Sequence, residues 1–332
     1  MTNDTERPRS SARTTVLSRD QLARALYGPA LHYFAAVCDS LSIRAAARRL
    51  NIASSAVNRQ ILQLEETIGG PLFERQGRTL RLLPMGEILA RHARMALGDL
   101  DATAADMDAV QGVRRGLVRV ACVESIASDL LPSIVAEFAR RFPLIHVAVT
   151  VESSSAVAGL VARGEVEIGL TFNPPRQAQL SVALARDLPI GAVVARDHPL
   201  AGRARVTVAD CLDYPLVLPT KGMSIRDALD AAFAAIGTAP RSFVEANLLR
   251  FMAALALQGR FVAFQTRLGI ARQLADGSLA FVPLADANLP VDRLAVVTRA
   301  DATLRLAPAI FFDVSRQVLG EMLPVSAPQT PF

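Results

Sequence analysis

Residues 54–68 combine short polar side chains and one arginine at a spacing that could serve to hydrogen-bond DNA bases. Successive residues of an α-helix are about 100° apart, so this segment would have an apolar face and a polar face. The apolar face holds Val57, Ile61, Leu64 and Ile68, and the polar face holds Ser54, Ser55, Asn58, Arg59 and Gln63. Hydroxyl, amide and guanidinium groups are those that read base edges in the major groove. We therefore predict that this helix lies in a major groove with its polar face toward the bases.

Two shorter helices must position that helix. The first is expected to stop near Asp39, and Ser42 is the expected N-cap of the second, because its hydroxyl can accept a backbone N–H. Asn51 tolerates the left-handed backbone that the following turn needs. Arg44, near the start of the second helix, is a candidate for contact with the DNA backbone. The same spacing occurs in three-helix bundles that do not bind DNA, so this pattern alone leaves both interpretations open.

A basic hairpin is predicted directly after the third helix. Residues 73–82 have Gly77 at their centre, with Arg75, Arg78 and Arg81 around it. As a wing, the hairpin would place these arginines along the phosphates that flank the site. Exposed arginines are common on surface hairpins. A helix-turn-helix followed by a basic wing nevertheless favours DNA binding.

The charge of the chain is distributed unevenly. Residues 1–83 hold twelve arginines and seven acidic residues, and residues 84–116 hold four arginines and five acidic residues. Residues 117–332 hold twenty basic and nineteen acidic residues. The net charge of +5 therefore lies almost wholly in the first quarter of the chain, where attraction to phosphates would act. The near-neutral remainder is typical of a domain that handles something other than DNA.

At these positions the chain resembles the LysR-type bacterial transcriptional regulators over about sixty residues. The matching positions are Phe34, Ser42, Ala45-Ala46, Leu50, Ala56-Val57, Arg59-Gln60-Ile61, Leu64-Glu65, Gly69, Pro71-Leu72-Phe73 and Arg75. The resemblance implies a winged helix-turn-helix DNA-binding domain over residues 29–84. The chain departs from the family pattern at Ala53-Ser54-Ser55, at Asn58 and at Leu83, so the base preference of other members does not carry over.

A long helix is predicted from Met85 to about Gln111, and Pro84 suits its first turn. Within it, apolar and small residues repeat at four–three spacing, at Leu89, Ala93, Ala96, Leu100, Thr103, Met107 and Val110. The resemblance implies a linker helix over residues 85–112 that pairs with its mate in a homodimer. A buried amphipathic helix of a single domain would show the same pattern.

From residue 117 onward, predicted strands alternate with predicted helices, which indicates an α/β fold with largely parallel sheets. The resemblance implies that residues 117–332 form two Rossmann-like lobes of the periplasmic-binding-protein type, with the chain crossing near 187 and returning near 293. The expected ranges are 117–186 and 297–332 for lobe I and 187–296 for lobe II.

Small polar residues follow several predicted strands, where α/β folds bind ligands against helix N-termini. The resemblance implies an effector cleft between the lobes. Its candidate lining residues are Ser125, Ser128, Ser153, Ser154, Phe172, Ser224, Asn247, Gln265 and Thr266. Each serine could instead be a helix N-cap without a ligand. Lys221, the only lysine in the sequence, could meet an anionic effector or could be an exposed residue of an arginine-biased protein.

The sequence favours no metal, cofactor or catalytic chemistry. Its four histidines lack metal-ligand spacing, and it holds no nucleophile or nucleotide-binding motif. Cys38, Cys122 and Cys211 are expected to be buried thiols, with a redox switch between the last two as an alternative. Few cysteines, no signal segment and no apolar run of membrane-spanning length predict a cytoplasmic protein. Residues 1–28 are polar and are expected to be a disordered extension.

These features predict a DNA-binding transcriptional regulator, not an enzyme, that is switched by a small-molecule effector. An organic anion is one candidate effector class. The resemblance implies a homodimer or tetramer on double-stranded DNA and contact with RNA polymerase. The alternative is an α/β solute-binding or enzymatic protein whose N-terminal helices serve only in dimerisation. The charge asymmetry favours the regulator.

Overall fold

A computed structural model of the chain describes residues 28–323, except 78, 111–114 and 288. The expected N-terminal extension (up to residue 27), Arg78 and the last residues of the expected linker lie outside the described residues. The chain divides into two compact units, which meet between Asp101 and Ala102. We call them the N-terminal and the C-terminal unit and describe each by itself.

The N-terminal unit contains three helices and a hairpin, followed by the start of a long helix. The helices are α1 Pro29–Ser40, α2 Ile43–Leu50, α3 Ser54–Ile68 and α4 Pro84–Val110, and the strands are β1 Phe73–Gln76 and β2 Thr79–Leu82. The strands pair antiparallel, with Gln76 opposite Thr79. These elements confirm the predicted helix-turn-helix, hairpin and long helix.

Local interactions explain the boundaries of the first helices. The Ser42 side chain accepts a hydrogen bond from the backbone N–H of Ala45 at 3.3 Å, so the predicted N-cap is confirmed. Asn51 has the predicted left-handed backbone, with φ 55°, and Leu41, which was not predicted to do so, has φ 47°. Ala46 and Ala47 are fully buried, and their small side chains let α2 pack closely in the core.

The hairpin is fixed to the helices by hydrogen bonds that its backbone N–H groups and that of Leu72 donate. Glu65 of α3 accepts hydrogen bonds from the N–H groups of Leu72 at 2.8 Å and of Phe73 at 3.2 Å. The Leu80 N–H donates to the Leu41 carbonyl at 2.9 Å. The position of the wing relative to α3 is therefore fixed by contacts within the N-terminal unit, and the Glu65 carboxylate makes two of these contacts.

The C-terminal unit has two lobes, each built on a five-stranded sheet. Its elements are β3 Gly116–Cys122, α5 Glu124–Arg141, β4 Ile145–Val151, α6 Ser154–Ala162, β5 Ile168–Phe172, β6 Leu180–Leu188, β7 Gly191–Ala195, α7 Val208–Cys211, β8 Leu216–Pro219, α8 Ser224–Ala235, β9 Ser242–Ala246, α9 Leu249–Ala256, β10 Val262–Gln265, α10 Ala271–Ala275, β11 Leu279–Pro283, β12 Asp292–Arg299 and α11 Leu306–Met322.

Lobe I contains the sheet with strand order β4-β3-β5-β12-β6, and lobe II contains the sheet with order β11-β7-β10-β8-β9. The core of lobe I is formed by its central strands together with α5, α6 and α11. In lobe II, one apolar cluster packs with α8 and another with α9. The predicted α/β fold with two lobes is confirmed.

Two details of the prediction were wrong. The sheets are mixed, because four of their eight strand pairings are antiparallel. The boundary of the lobes also differs, because β6 extends to Leu188 and β12 already begins at Asp292. These two crossing strands pair antiparallel with each other, Asp292 opposite Leu188. Residues 187–188 and 292–296, which were assigned to lobe II, therefore belong to the sheet of lobe I.

Candidate nucleic-acid interface and candidate ligand cleft

The polar face of α3 is on the outside of the N-terminal unit. Ser54, Ser55, Arg59 and Gln63 are exposed and Asn58 is half-buried. On the opposite face Val57, Ile61 and Leu64 are buried in the core, and Ile68 packs against it. The predicted division of the helix into two faces is thus present. The helix can offer short polar groups and a guanidinium to a partner without any change in its own packing.

Exposed arginines also occur in α2, α3 and the hairpin, and they differ in how they are engaged. Arg44, Arg59 and Arg75 are exposed and have no ion-pair partner among the described residues. Arg81 forms an ion pair with Glu74 across the hairpin, so a phosphate would have to share or replace that contact. Three guanidinium groups are therefore free to bind an anionic surface.

One feature of the outward face was missed in the sequence. Leu62 is 56% exposed and, together with Ser55, Arg59 and Glu66, lines a shallow depression on α3. These positions follow one another at helical spacings of four, three and four, so the sequence could have indicated that they share one face of the helix. An exposed apolar side chain on this face could contact a thymine methyl group, and a carboxylate could accept a hydrogen bond from cytosine.

A cleft of about 310 Å³ lies between the lobes of the C-terminal unit. It is lined where strands end and helices begin: after β3, β4, β5 and β10, at the starts of α8 and α9, and at the first residue of β12. Seven of the predicted candidates line it, namely Ser125, Ser153, Ser154, Phe172, Ser224, Asn247 and Thr266. The arrangement at strand ends explains why the sequence could indicate them.

Three predicted candidates do not line the cleft. Ser128, one turn into α5, donates a hydrogen bond to the Glu124 carbonyl at 2.9 Å and accepts one from Arg250 at 2.6 Å. Lys221 is exposed in a turn, and only its neighbour Gly222 reaches the cleft. Gln265 is 1% exposed, one residue before the lining residue Thr266, so it lies in the interior of the lobe.

The sequence did not indicate the acidic residues of the cleft. Glu124, Glu152 and Asp292 all line it, and among the described lining residues none is cationic. The only feature of the sequence that marks Asp292 is that it is an acidic residue just before a strongly apolar segment. The cleft is completed by apolar side chains, which are Val123, Val151, Met223, Ile225, Leu248 and Leu249.

Asp292 is the most unusual of these groups because it is 1% exposed. Its carboxylate accepts a hydrogen bond from the Asn173 side-chain amide at 2.9 Å. Burial raises the pKa of this carboxyl to about 6, and a hydrogen bond with Ser224 opposes the rise. The group is therefore mostly ionised at neutral pH although it is nearly removed from water.

The lobes are joined by carboxylates of α5 that cap helices of lobe II. Glu124 accepts a hydrogen bond from the Leu249 N–H at 3.0 Å, at the start of α9. Asp129 accepts hydrogen bonds from the N–H groups of Gly269 at 2.7 Å and Ala271 at 2.9 Å, at the start of α10. Because free N–H groups at helix starts favour negative charge, these contacts stabilise the observed arrangement of the two lobes.

The cysteines do not support redox chemistry. Burial raises the pKa of Cys122 to about 11 and that of Cys211 to about 12, and the pKa of Cys38 is likewise raised to about 12. A raised pKa keeps a thiol protonated and poorly reactive. In the part of the chain that the structure describes, no cluster of metal-ligating residues occurs. Nor does that part contain a helix with the length and apolar character needed to cross a membrane.

Comparisons with known proteins match both units. The model for the LysR substrate binding domain matches residues 111–320, and that for the bacterial regulatory helix-turn-helix protein, lysR family, matches residues 29–87. The chain is 31% identical to the HTH-type transcriptional regulator AlsR of Bacillus subtilis over 191 residues, 58% of this chain and 63% of that one, so the match spans less than two thirds of that relative. It is 27% identical to CbbR of Rhodospirillum rubrum over 263 residues, covering 79% of this chain and 86% of that one.

Solved structures share the fold. A full-length OxyR variant from Pseudomonas aeruginosa has a TM-score of 0.69 at 20% identity, covering 91% of this chain and 97% of that one. CbnR, described as a LysR family transcriptional regulator, has a TM-score of 0.64 at 20% identity, covering 87% of this chain and 98% of that one. CbnR has also been solved in complex with its target DNA.

Proposed function

The chain belongs to the LysR family of bacterial regulatory proteins, and we propose that it is a transcriptional regulator whose promoter binding is modulated by a small-molecule effector. The observation that carries this proposal is the outward face of α3. It presents exposed polar side chains and an unpaired arginine on a rigid helix-turn-helix, next to a wing. The second half of the proposal is supported by the cleft between the two lobes.

In this proposal α3 enters the major groove and reads bases. Ser54, Ser55, Asn58, Arg59 and Gln63 supply the polar contacts, and we add Leu62 for its exposure on the same face. Arg44, Arg75, Arg78 and Arg81 contact phosphates, although Arg78 lies outside the described residues and stays a prediction from sequence. Phosphate contacts orient the protein, whereas contacts with base edges select the sequence.

The effector acts through the relative position of the lobes. A ligand can shift an equilibrium only by the difference between its affinities for the two states. The cleft is lined by both lobes, and the capping contacts of Glu124 and Asp129 join them, so a ligand that changes these contacts would change the geometry of the unit. In an oligomer, that change would alter the spacing of the DNA-binding units.

The exposed part of α4 is the proposed dimer contact. Leu89 and Ala93 are buried in the core of the N-terminal unit, whereas Leu100 and Met107, one heptad apart, are each 65% exposed. A second copy of α4 could cover these side chains, which supports a homodimer or a tetramer of two dimers. A regulator of this kind works on the chromosome in the bacterial cytoplasm and contacts RNA polymerase, and we include both in the proposal.

The alternative of a solute-binding or enzymatic protein loses its support. The curated relatives that match most of the chain are transcriptional regulators. The N-terminal unit also carries unpaired arginines on its outward face, which a helical unit used only in dimerisation would not need.

The proposal is tested with DNA selected by the wild-type protein from a random pool. Arg59→Ala should weaken binding to the selected DNA about tenfold or more, because a bidentate arginine–base contact is lost, while binding to scrambled DNA falls much less. The matched control is Arg316→Ala, an exposed arginine of α11, which should bind both DNAs as the wild type does. If no DNA is enriched, or if Arg59→Ala weakens both DNAs equally, base reading by α3 is contradicted.

A further inference from the structure

The charge of the cleft indicates which effectors it can hold. Its described lining includes the carboxylates of Glu124, Glu152 and Asp292 and no cationic side chain. Of the cations next to lining residues in sequence, Arg250 contacts Ser128 at 2.6 Å and lies 3.9 Å from the Glu124 carboxylate, and Arg293 is paired with Asp187. Lys221 is exposed and does not reach the lining. A ligand in this cleft therefore meets two carboxylates, those of Glu152 and Asp292, that no cation of the described residues neutralises.

Asp292 is the buried one of these carboxylates. The carboxylate is almost wholly buried, and its hydrogen bonds come from the neutral side chains of Asn173 and Ser224. A carboxylate can accept about four hydrogen bonds, so acceptor positions remain. A buried charge is costly unless it is paired. The adjacent Arg293 is paired with Asp187, and among the described residues no ion pair includes Asp292. A cation supplied by a ligand would remove that cost.

Free helix N-termini bind anions, so the helix starts around the cleft could favour an anionic ligand. The residues of the chain itself oppose this. The start of α9 is already occupied, because Glu124 accepts the hydrogen bond from the Leu249 N–H. The start of α6 is capped by Ser153, whose hydroxyl accepts from the Ala156 N–H at 3.4 Å. The starts of α5 and α8 have no side-chain cap, but Glu124 is the first residue of α5, and Ser224, the first residue of α8, faces Asp292. The chain thus supplies its own acceptor at the starts of α9 and α6, and it places a carboxylate beside the starts of α5 and α8.

A second observation concerns the Gln265 side chain, which does not line the cleft but directly precedes the lining residue Thr266. It is 1% exposed, and neither its amide nitrogen nor its amide oxygen has a hydrogen-bond partner among the described residues. A Cβ atom placed on Gly269 would be 3.8 Å from the Gln265 oxygen and 3.1 Å from Ser125 Cβ, so the amide is near that lining serine. Buried polar groups are rarely left unpaired, so the Gln265 amide indicates a further polar partner next to Ser125.

We propose that the effector carries a nitrogen-based cation, an ammonium or amidinium group, that forms an ion pair with Asp292, with Glu152 contributing further attraction. The apolar side chains of the lining, such as Phe172 and Met223, contact the body of the molecule. This inference rests on the proposed regulatory function and replaces the organic anion considered from the sequence. Asp292 and Glu152 are then specificity-determining residues of the cleft.

The test uses the full-length protein and pairs of small molecules that have equal carbon numbers and opposite charge. The probes are putrescine and succinate, cadaverine and glutarate, and benzylamine and benzoate, with butanediol as a neutral compound. Thermal unfolding and calorimetric titration report binding. We expect at least one amine to raise the unfolding temperature and the paired carboxylates to leave it unchanged.

Variants then locate the bound cation. Asp292→Asn should weaken amine binding by more than about tenfold, because a buried charge pair is lost, and Glu152→Gln should weaken it less. Asp213→Asn, an exposed carboxylate of lobe II outside the cleft lining, should bind as the wild type does.

The outcomes separate the ligand class from the regulatory function. If a carboxylate binds and its paired amine does not, the cationic class is wrong and the effector cleft still stands. If amines bind equally well to wild type, Asp292→Asn and Glu152→Gln, the assigned site is wrong. If no probe binds, the cationic effector is overturned, while the DNA-binding test with Arg59→Ala is unaffected.

Discussion

The two proposed binding surfaces of this chain have opposite charge and opposite exposure. On the N-terminal unit, Arg44, Arg59 and Arg75 are exposed and unpaired among the described residues. In the cleft, the residues that carry charge are acidic, and the central one, Asp292, is buried. An exposed cationic surface can exchange partners through water and ions, so its affinity should depend on salt. A buried carboxylate depends instead on desolvation, protonation and a matching partner.

The comparison predicts that the two proposed sites bind their partners in different ways. The outward face of α3 needs only a rigid support, which the buried face of the same helix supplies. The cleft needs residues from distant parts of the chain to meet, and the capping contacts of Glu124 and Asp129 hold them together. Changes at the first surface should therefore affect affinity, and changes at the second should also affect stability.

The largest effect is expected where α4 meets the wing. A Cβ atom on Gly86 would lie 2.1 Å from the Leu72 carbonyl oxygen, a contact that no side chain tolerates. Gly86→Ala should lower the free energy of unfolding of the N-terminal unit by about 3 kcal/mol and reduce DNA binding with it. Denaturant unfolding measures the change, and ligand binding by the cleft should be retained.

The control for this variant is Gly320→Ala in α11, where an added Cβ has no neighbour within 4 Å. Alanine is the better helix former, so this change should leave stability equal or raise it by up to about 1 kcal/mol. A Gly86→Ala protein as stable as the wild type would show that the close contact with Leu72 does not support the wing.

The next effect is a change in the free energy of unfolding with pH, and it comes from Asp292. Its pKa is raised from 3.8 to about 6 in the folded chain, so between these values the folded state holds a proton that the unfolded state has lost. The stability from this group is complete below the unfolded pKa and falls as the pH rises through the folded one, by at most about 3 kcal/mol.

Asp292→Asn removes this dependence. The unfolding free energy of the variant minus that of the wild type should therefore increase between pH of about 4 and about 7, as measured by denaturant unfolding without ligand. Asp213→Asn, with an exposed carboxylate, provides the reference. A difference that stays constant across this range would mean that Asp292 is not protonated more readily in the folded chain.

An intermediate effect is expected at Leu62. If its exposed side chain contacts a base methyl group, Leu62→Ala should weaken binding to the selected DNA by roughly 1 kcal/mol, about fivefold. The fold should be unchanged, since the side chain is 56% exposed. Fluorescence anisotropy with matched DNAs that carry or lack thymine methyl groups measures it. Equal binding by variant and wild type would remove Leu62 from the interface.

The smallest effect is expected at the wing. Arg75→Ala should reduce the slope of the logarithm of DNA affinity against the logarithm of salt concentration by about 0.9, the value for one lost phosphate contact. The matched comparison is Arg81→Ala, whose arginine is paired with Glu74 and should change the slope less. An unchanged slope in Arg75→Ala would place that arginine away from the phosphates.

The difference between the surfaces also explains how far the sequence could be interpreted. The face of α3 depends on helical periodicity and on local caps such as Ser42, which short stretches of sequence contain. The cleft depends on long-range pairing. Glu124 meets Leu249, and Asp292 meets Asn173, and no local pattern marks such encounters. The serines that do line the cleft were predictable because strand ends are a general ligand site in α/β folds.

The mixed sheet of lobe I was missed for a related reason. The strand β6 has exposed residues along much of its length and a single neighbour, β12, so it lacks the continuous apolar pattern of a central strand. Because β6 was not recognised, the antiparallel pairing that places Asp292 in lobe I could not be predicted. The place of Asp292 in the cleft followed from that pairing and appeared only in the folded chain.

The central claim is that the outward face of α3 directs this protein to specific DNA. Genomic mapping of its binding sites in cells, compared between the wild type and Arg59→Ala at equal protein levels, tests the claim most directly. We expect the wild type to occupy discrete DNA sites that share a sequence motif, and we expect Arg59→Ala to lose most of these sites. Absence of enriched sites for the wild type, or an identical set of sites for Arg59→Ala, would contradict it.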